Sequence, residues 1–135
     1  MDVVRVLLVD DQPAFLRAMA SVVEETPGFV AVGAAKSGEE CLALAEALHP
    51  DLVLLDVNLP GIDGVETAKR LAERSMPLVV VLLSTYDEDA GERFVAESGA
   101  AAYLTKSAFG SERLQEIWAA SCGPDDLTGV TTRTR

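Results

Sequence analysis

Pro50-Asp51-Leu52-Val53-Leu54-Leu55-Asp56-Val57-Asn58-Leu59-Pro60-Gly61-Ile62-Asp63-Gly64 is the stretch on which the fold turns. Four apolar residues run without a polar break and end on an acid. Leu59-Pro60-Gly61 behind them is turn chemistry. A short run of this kind is how a parallel strand buried on both faces reads. Three other runs end on a polar residue: Val6-Leu7-Leu8-Val9 before Asp10 and Asp11, Val79-Val80-Val81-Leu82-Leu83 before Ser84, and Ala102-Tyr103-Leu104-Thr105 before Lys106. In an open parallel sheet, ligand sites lie beyond the carboxyl ends of the strands. Asp10, Asp11, Asp56, Ser84 and Lys106 are therefore expected to converge on one pocket, though they are far apart in the chain.

Helical segments separate the strands, giving five strand-helix alternations and an α/β fold. The first strand is expected over Val3 to Val9. Pro13, a favoured first-turn residue, opens a helix whose apolar positions Phe15, Leu16, Met19, Val22 and Val23 repeat at helical spacing. Pro27-Gly28 ends it, and Phe29 to Ala35 is the second strand. Ser37-Gly38-Glu39-Glu40 is a capping box. Cys41, Leu44, Ala45 and Leu48 then share a face until Pro50. The third helix is expected from Gly64 to Glu73. The fourth is expected from Asp87 to Gly99, with a thin apolar face of Ala90, Phe94 and Val95. It has Gly91 in its interior, at a cost of about 1 kcal/mol against alanine. Such a helix belongs to the low-stability end of a structure. Ser111 is expected to cap a last helix carrying Leu114, Ile117 and Trp118. Residues 1–122 form one domain; residues 123–135 have no apolar period and read as a flexible tail or linker stub.

With 135 residues, nearly half of them hydrophobic, the chain has enough material for one core. Lys and Arg number 11 and Asp and Glu 22, a formal net charge of -11. Nucleic-acid binding needs a basic face, so DNA contact by this segment itself is disfavoured. No apolar run is long enough to span a bilayer, and no signal peptide precedes the first strand. A cytoplasmic protein with no membrane partner is expected. Cys41 and Cys122 lack metal-ligand spacing, and Cys41 reads as a core thiol.

Three carboxylates, a hydroxyl and an ammonium suit Mg²⁺ and a phosphoryl group. Mg²⁺ prefers oxygen ligands and keeps several waters; Asp10, Asp11 and Asp56 supply the carboxylates, and the cation offsets their mutual repulsion. Lys106 and Ser84 can meet phosphoryl oxygens. Asp56 is then the nucleophile of an aspartyl phosphate. Taken singly, each residue has a plainer explanation. Asp10 or Asp11 could cap a helix, Ser84 could serve a turn, and Lys106 could be a solvated charge. The five together, at the ends of four strands, make the joint site the better account. Tyr103 is open between a core ring with a surface hydroxyl and a ring that moves with site occupancy.

The segments Leu7 to Asp11, Pro50 to Gly64, Leu83-Ser84-Thr85-Tyr86 and Gly99 to Lys106 resemble the CheY-like receiver domains of bacterial two-component response regulators, over about residues 4–121. The resemblance implies a doubly wound five-stranded parallel sheet, a (βα)5 flavodoxin-like/CheY-like fold with strand order 2-1-3-4-5. It implies phosphorylation of Asp56 by a sensor histidine kinase. Asp11 becomes a direct Mg²⁺ ligand, Asp10 acts through water, Asp56 and the Asn58 backbone carbonyl complete the set, and Mn²⁺ or Ca²⁺ can substitute. Ser84 and Lys106 contact the phosphoryl group, Ser84 and Tyr103 form the switch, and Asn58 and Tyr86 tune the lifetime. The switched surface is that of the fourth helix, fifth strand and fifth helix. A homodimer on phosphorylation is implied, and no turnover enzyme beyond the domain's own phosphorylation and dephosphorylation.

Two departures from the family pattern stand out. Ser107, not proline, follows Lys106; Lys106-Ser107-Ala108 resembles the NarL/LuxR-type subgroup, whose receivers precede a DNA-binding helix-turn-helix domain. Thr85 stands where a smaller residue is common. The alternative is a stand-alone or phosphorylation-independent receiver acting as an interaction module. A dehalogenase-like phosphatase needs a second Asp two places after its nucleophile, where Asn58 and Gln12 stand. A flavin module needs a phosphate loop, where Asp10-Asp11-Gln12-Pro13 would repel phosphate.

Overall fold

A computed structural model describes residues 3–74, 77–85 and 91–122. The elements follow in strict alternation: β1 (Val4–Val9), α1 (Pro13–Glu25), β2 (Phe29–Ala35), α2 (Gly38–Leu48), β3 (Leu52–Asp56), α3 (Gly64–Ala72), β4 (Val79–Ser84), α4 (Gly91–Ser98), β5 (Ala102–Thr105) and α5 (Ser111–Cys122). The five strands form one parallel sheet in the order β2-β1-β3-β4-β5. That is the doubly wound (βα)5 architecture expected.

Strand side chains alternate between two apolar layers, as the period of two requires. Leu7, Val9, Val53, Leu55 and Leu82 pack with α2 and α3 through Cys41, Ala45, Ala68 and Leu71, and with α4 through the partly buried Phe94. Val6, Leu8, Leu52, Leu54, Val81 and Leu83 pack with α1 and α5 through Met19, Val23 and Leu114. Leu52 to Leu55 are all fully buried, which is why no polar residue breaks that run. Trp118 is half-buried in the second layer, its ring edge-on to Phe29 at 6.3 Å between centroids.

The local signals act as expected at several ends. Ser37 accepts from Glu40 N at 3.1 Å, the cap half of the expected box, while the Glu40 carboxylate accepts from Lys36 N at 2.7 Å, one residue before the cap, instead of from Ser37 N. His49 ends α2 in the left-handed region, φ 51°, and Arg5 donates to the Leu48 and His49 carbonyls there. The apolar face of α2 buries Cys41, and burial pushes its thiol up to about 12. It is an inert core group.

Some boundaries move. β1 starts at Val4, one residue late. α3 stops at Ala72, with Glu73 as its C-cap. Ser111 is the first helical residue of α5 and not its cap, and its hydroxyl is hydrogen-bonded to Thr26 Oγ1 at 2.8 Å. That bond ties α5 to the end of α1. α4 is described only from Gly91 to Ser98. Its expected start, with Tyr86, Asp87 and Ala90, lies outside the described residues, as do residues 123–135. No helix among the described residues is long and apolar enough to cross a membrane.

Candidate functional site

The carboxyl ends of β1, β3, β4 and β5 lie side by side along one edge of the sheet. Register fixes the levels: Val9 pairs with Leu55, Asp56 with Leu83, and Ser84 with Thr105. Asp10 and Asp11 follow the first strand, Asp56 ends the third, Ser84 ends the fourth and Lys106 follows the fifth. Asp10, Asp56 and Ser84 are buried, while Asp11 is exposed at the rim.

Asp10, Asp11 and Asp56 each offer a carboxylate oxygen, and these three atoms lie within 4.8 Å of one another. Lys106 Nζ is 2.8 Å from Asp10 Oδ2 and 3.5 Å from Asp56 Oδ2. Asp10 Oδ1 accepts from Gln12 N at 2.8 Å, and Asp56 Oδ1 accepts from Asn58 N at 3.2 Å. Each acid thus uses one oxygen to fold the loop behind it and turns the other toward the lysine. The cap position of α1 is Gln12, which makes no side-chain cap bond, so neither Asp10 nor Asp11 is spent as a helix cap.

The electrostatics follow from burial. Asp56 is pushed up to about 6, first by removal of water and then by the neighbouring charge of Asp10; Lys106 and the Asn58 N–H oppose the rise without cancelling it. Two carboxylates facing one ammonium leave the site short of positive charge. Asp10 Oδ2 is buried, and its partner is the Lys106 ammonium at 2.8 Å. Three carboxylates gathered around a single ammonium are a fit for a hard divalent cation. Asp10, Asp11 and Asp56 can hold one.

Glycines allow this closeness. α3 begins at Gly64, whose N–H donates to Val57 O at 2.8 Å. A methyl group there would strike the Asp56 carbonyl oxygen and come within 2.6 Å of the Val57 Cα. Gly61, at φ 73°, turns the loop between Asp56 and α3 in a conformation that favours glycine. Gly38 lets α2 press on Thr67 and Ile62 of the same region.

Tyr103 points to the α4 side of β5, half-buried, its ring 5.8 Å from that of Phe94. Gly91 sits directly under the ring: a methyl there would lie 2.9 Å from Tyr103 Cγ and nearer still to Cδ2. Gly91, Val95, Tyr103, Leu104, Thr105 and Arg113 line part of an open cavity of about 600 Å³ between α4, β5 and α5. Asn58 is exposed beside Asp56, and Thr85 is exposed after Ser84. Tyr86 lies outside the described residues.

Sequence reasoning overlooked two participants. Gly64 reads as a helix start, and only the closeness of the Asp56 carbonyl gives it a second role. Phe15 reads as an apolar helix position, yet its ring centroid is 4.6 Å from Lys106 Nζ. Helical periodicity carries no signal that would separate such a residue from a core filler.

The fold and this arrangement define a class, the receiver modules of two-component signalling. The chain belongs to the response regulator receiver domain family, whose pattern it matches over residues 6–118. It is 37% identical over 114 residues to response regulator GacA of Pseudomonas aeruginosa, covering 84% of this chain and 53% of that protein. It is 36% identical over 129 residues to the nitrate/nitrite response regulator protein NarL of Escherichia coli K12, covering 94% of this chain and 59% of that protein. The chain therefore spans little more than half the length of these curated relatives. Among solved structures it is similar to the signal receiver domain of the putative response regulator NarL from Mycobacterium tuberculosis. That match has a TM-score of 0.80 at 30% identity and covers 91% of this chain and 99% of the other. A LuxR-family response regulator from Aurantimonas sp. matches with a TM-score of 0.79 at 28% identity, covering 88% of this chain and 85% of the other.

Proposed function

We propose that Asp56 accepts a phosphoryl group from a phosphohistidine of a sensor kinase. The observation that carries this is the buried pairing of Lys106 with both Asp10 and Asp56, with Asp11 at the rim. One carboxylate oxygen of Asp56 attacks phosphorus, the bond from phosphorus to the histidine nitrogen breaks, and the electron pair leaves with the imidazole. Lys106 meets the negative charge of the phosphoryl oxygens, and the Ser84 hydroxyl donates to one of them. Asp10, Asp11, Asp56 and the Asn58 backbone carbonyl hold a divalent cation, Mg²⁺ in the cell, with Mn²⁺ or Ca²⁺ as substitutes. When bound, it neutralises charge between the acids and the phosphoryl donor.

In this reading Ser84 and Tyr103 couple the acceptor to the α4-β5-α5 surface, and phosphorylation shifts an existing equilibrium of that surface. Asn58 and Tyr86 set how long the aspartyl phosphate lasts. The relatives include the transcriptional regulatory protein LiaR of Bacillus subtilis. The output we propose is homodimerisation that brings a separate helix-turn-helix domain to DNA in the cytoplasm. The strongly acidic receiver itself is unsuited to that contact. The module modifies only itself and turns over no other substrate.

Intact-protein mass after incubation with acetyl phosphate and Mg²⁺ tests the reading. The parent gains one phosphoryl group, about 80 Da, and Asp56→Asn gains none. A parent that binds Mg²⁺ and gains no mass would be a phosphorylation-independent interaction module instead.

A further inference from the structure

Lys106 is held from a third side. Its ammonium touches two carboxylates, and the face of the Phe15 ring lies 4.6 Å away by centroid. The lysine side chain is only 12% exposed. A ring attracts a cation most strongly where water is excluded. Phe15 is itself fixed, tilted against Phe109 at 6.4 Å between centroids. Phe109 N donates to Lys106 O at 3.3 Å and closes the single turn between them. One ring of α1 thus meets both ends of the Lys106–Phe109 segment. Ser107 follows the lysine, so no proline ring fixes the backbone there. A lysine on a flexible four-carbon stem needs another constraint if its charge is to stay in one place.

We infer that Phe15 is a positioning residue for Lys106. The negative face of the ring sets where the ammonium stands between Asp10 and Asp56, and Phe15 acts on Asp56 chemistry only through that lysine. The role rests on the reading of Asp56 as phosphoacceptor. Phe15 also packs against the α1 and α5 layer. If it were only an apolar filler there, leucine would serve as well.

The experiment uses the whole chain and acetyl phosphate at saturating Mg²⁺. Phe15→Leu is expected to slow phosphorylation about fivefold while leaving the Mg²⁺ dissociation constant within about twofold. Phe15→Tyr, which keeps the ring, restores most of the rate. In a Lys106→Met background Phe15→Leu changes the residual rate by less than about twofold, because the two residues act as one unit. Should Phe15→Leu fold poorly, 3,4,5-trifluorophenylalanine placed at position 15 keeps the shape and drains the negative face, and slowing is again expected. Equal rates for the parent and both ring-weakened proteins overturn the inference. So does an undiminished Phe15→Leu effect without Lys106, or Phe15→Tyr as slow as Phe15→Leu. A parent that takes up no phosphoryl group overturns the Asp56 reading and this role together; a competent parent matched by Phe15→Leu overturns this role alone.

Discussion

Asp56 is placed where ionising it is unfavourable. With no divalent cation, its raised value of about 6 means that the folded protein holds the proton more tightly than an ordinary carboxyl of about 3.8 does. A raised value stabilises the fold below the ordinary pKa, and that stabilisation is lost as pH climbs through about 6. Above it, the ionised group is a liability of about 3 kcal/mol. Asp56→Asn removes the group. In EDTA the variant is expected to melt higher than the parent at pH 7.5, and the gain should shrink as pH falls from about 6.5 toward 4. Calorimetric scans across that range check this; a gain independent of pH would show that Asp56 is not strained by its charge. Gly64 carries a second expectation. Gly64→Ala must push α3 off the Asp56 carbonyl, so a loss of about 2 kcal/mol or more is expected in urea unfolding. An unchanged midpoint would mean that the loop yields freely. The five polar residues were legible because their chemical types recur at the ends of apolar runs. Phe15 was not, because a ring serving a cation and a ring filling a core occupy the same helical phase.

α4 buries little apolar surface along its described length. Of its eight residues only Gly91 and Ser98 are buried, and Phe94 and Val95 only partly. α3, by contrast, buries Gly64, Thr67, Ala68 and Leu71. Amide hydrogens of Gly91–Ser98 are therefore expected to exchange at least tenfold faster than those of Gly64–Ala72. Exchange measured by NMR decides it, and equal protection would remove the physical basis for a mobile α4. The thin apolar face of this helix could be read from sequence. The use of Gly91 could not. At sequence level it is a helix-weakening residue; in three dimensions it is the seat of the Tyr103 ring. Helix ends were the weaker part of the reading for a similar reason. Ser111 has cap chemistry, yet its hydroxyl is engaged with Thr26 from another helix, a long-range partner that no local signal announces.

Across the whole molecule, the acid cluster is a store of repulsion that a cation can release. Mg²⁺ binding the native state alone should stabilise it by about 2.7 kcal/mol at a hundredfold excess over its dissociation constant. A melting temperature several degrees higher in Mg²⁺ than in EDTA is expected for the parent, with little shift for Asp11→Asn. Identical melting of the parent in both buffers would exclude a divalent site at these acids. The α/β class was legible from alternation alone, since buried runs and helical segments succeed each other without exception. The order β2-β1-β3-β4-β5 was not: nothing in a run such as Val79–Leu83 says which strand lies beside it. That order came from the family resemblance, and the register of the sheet agrees with it.

The last strand has one further consequence. Tyr103 faces the layer of α2, α3 and α4, Leu104 faces the layer of α1 and α5, and Lys106 leans on Phe15 of α1. Neighbouring residues of one short strand therefore address opposite sides of the molecule. A displacement of that strand by a fraction of an ångström is felt on both, as the beam of a balance moves both pans. Two partners on opposite faces could thus sense the same chemical event, or compete over it, without ever touching one another.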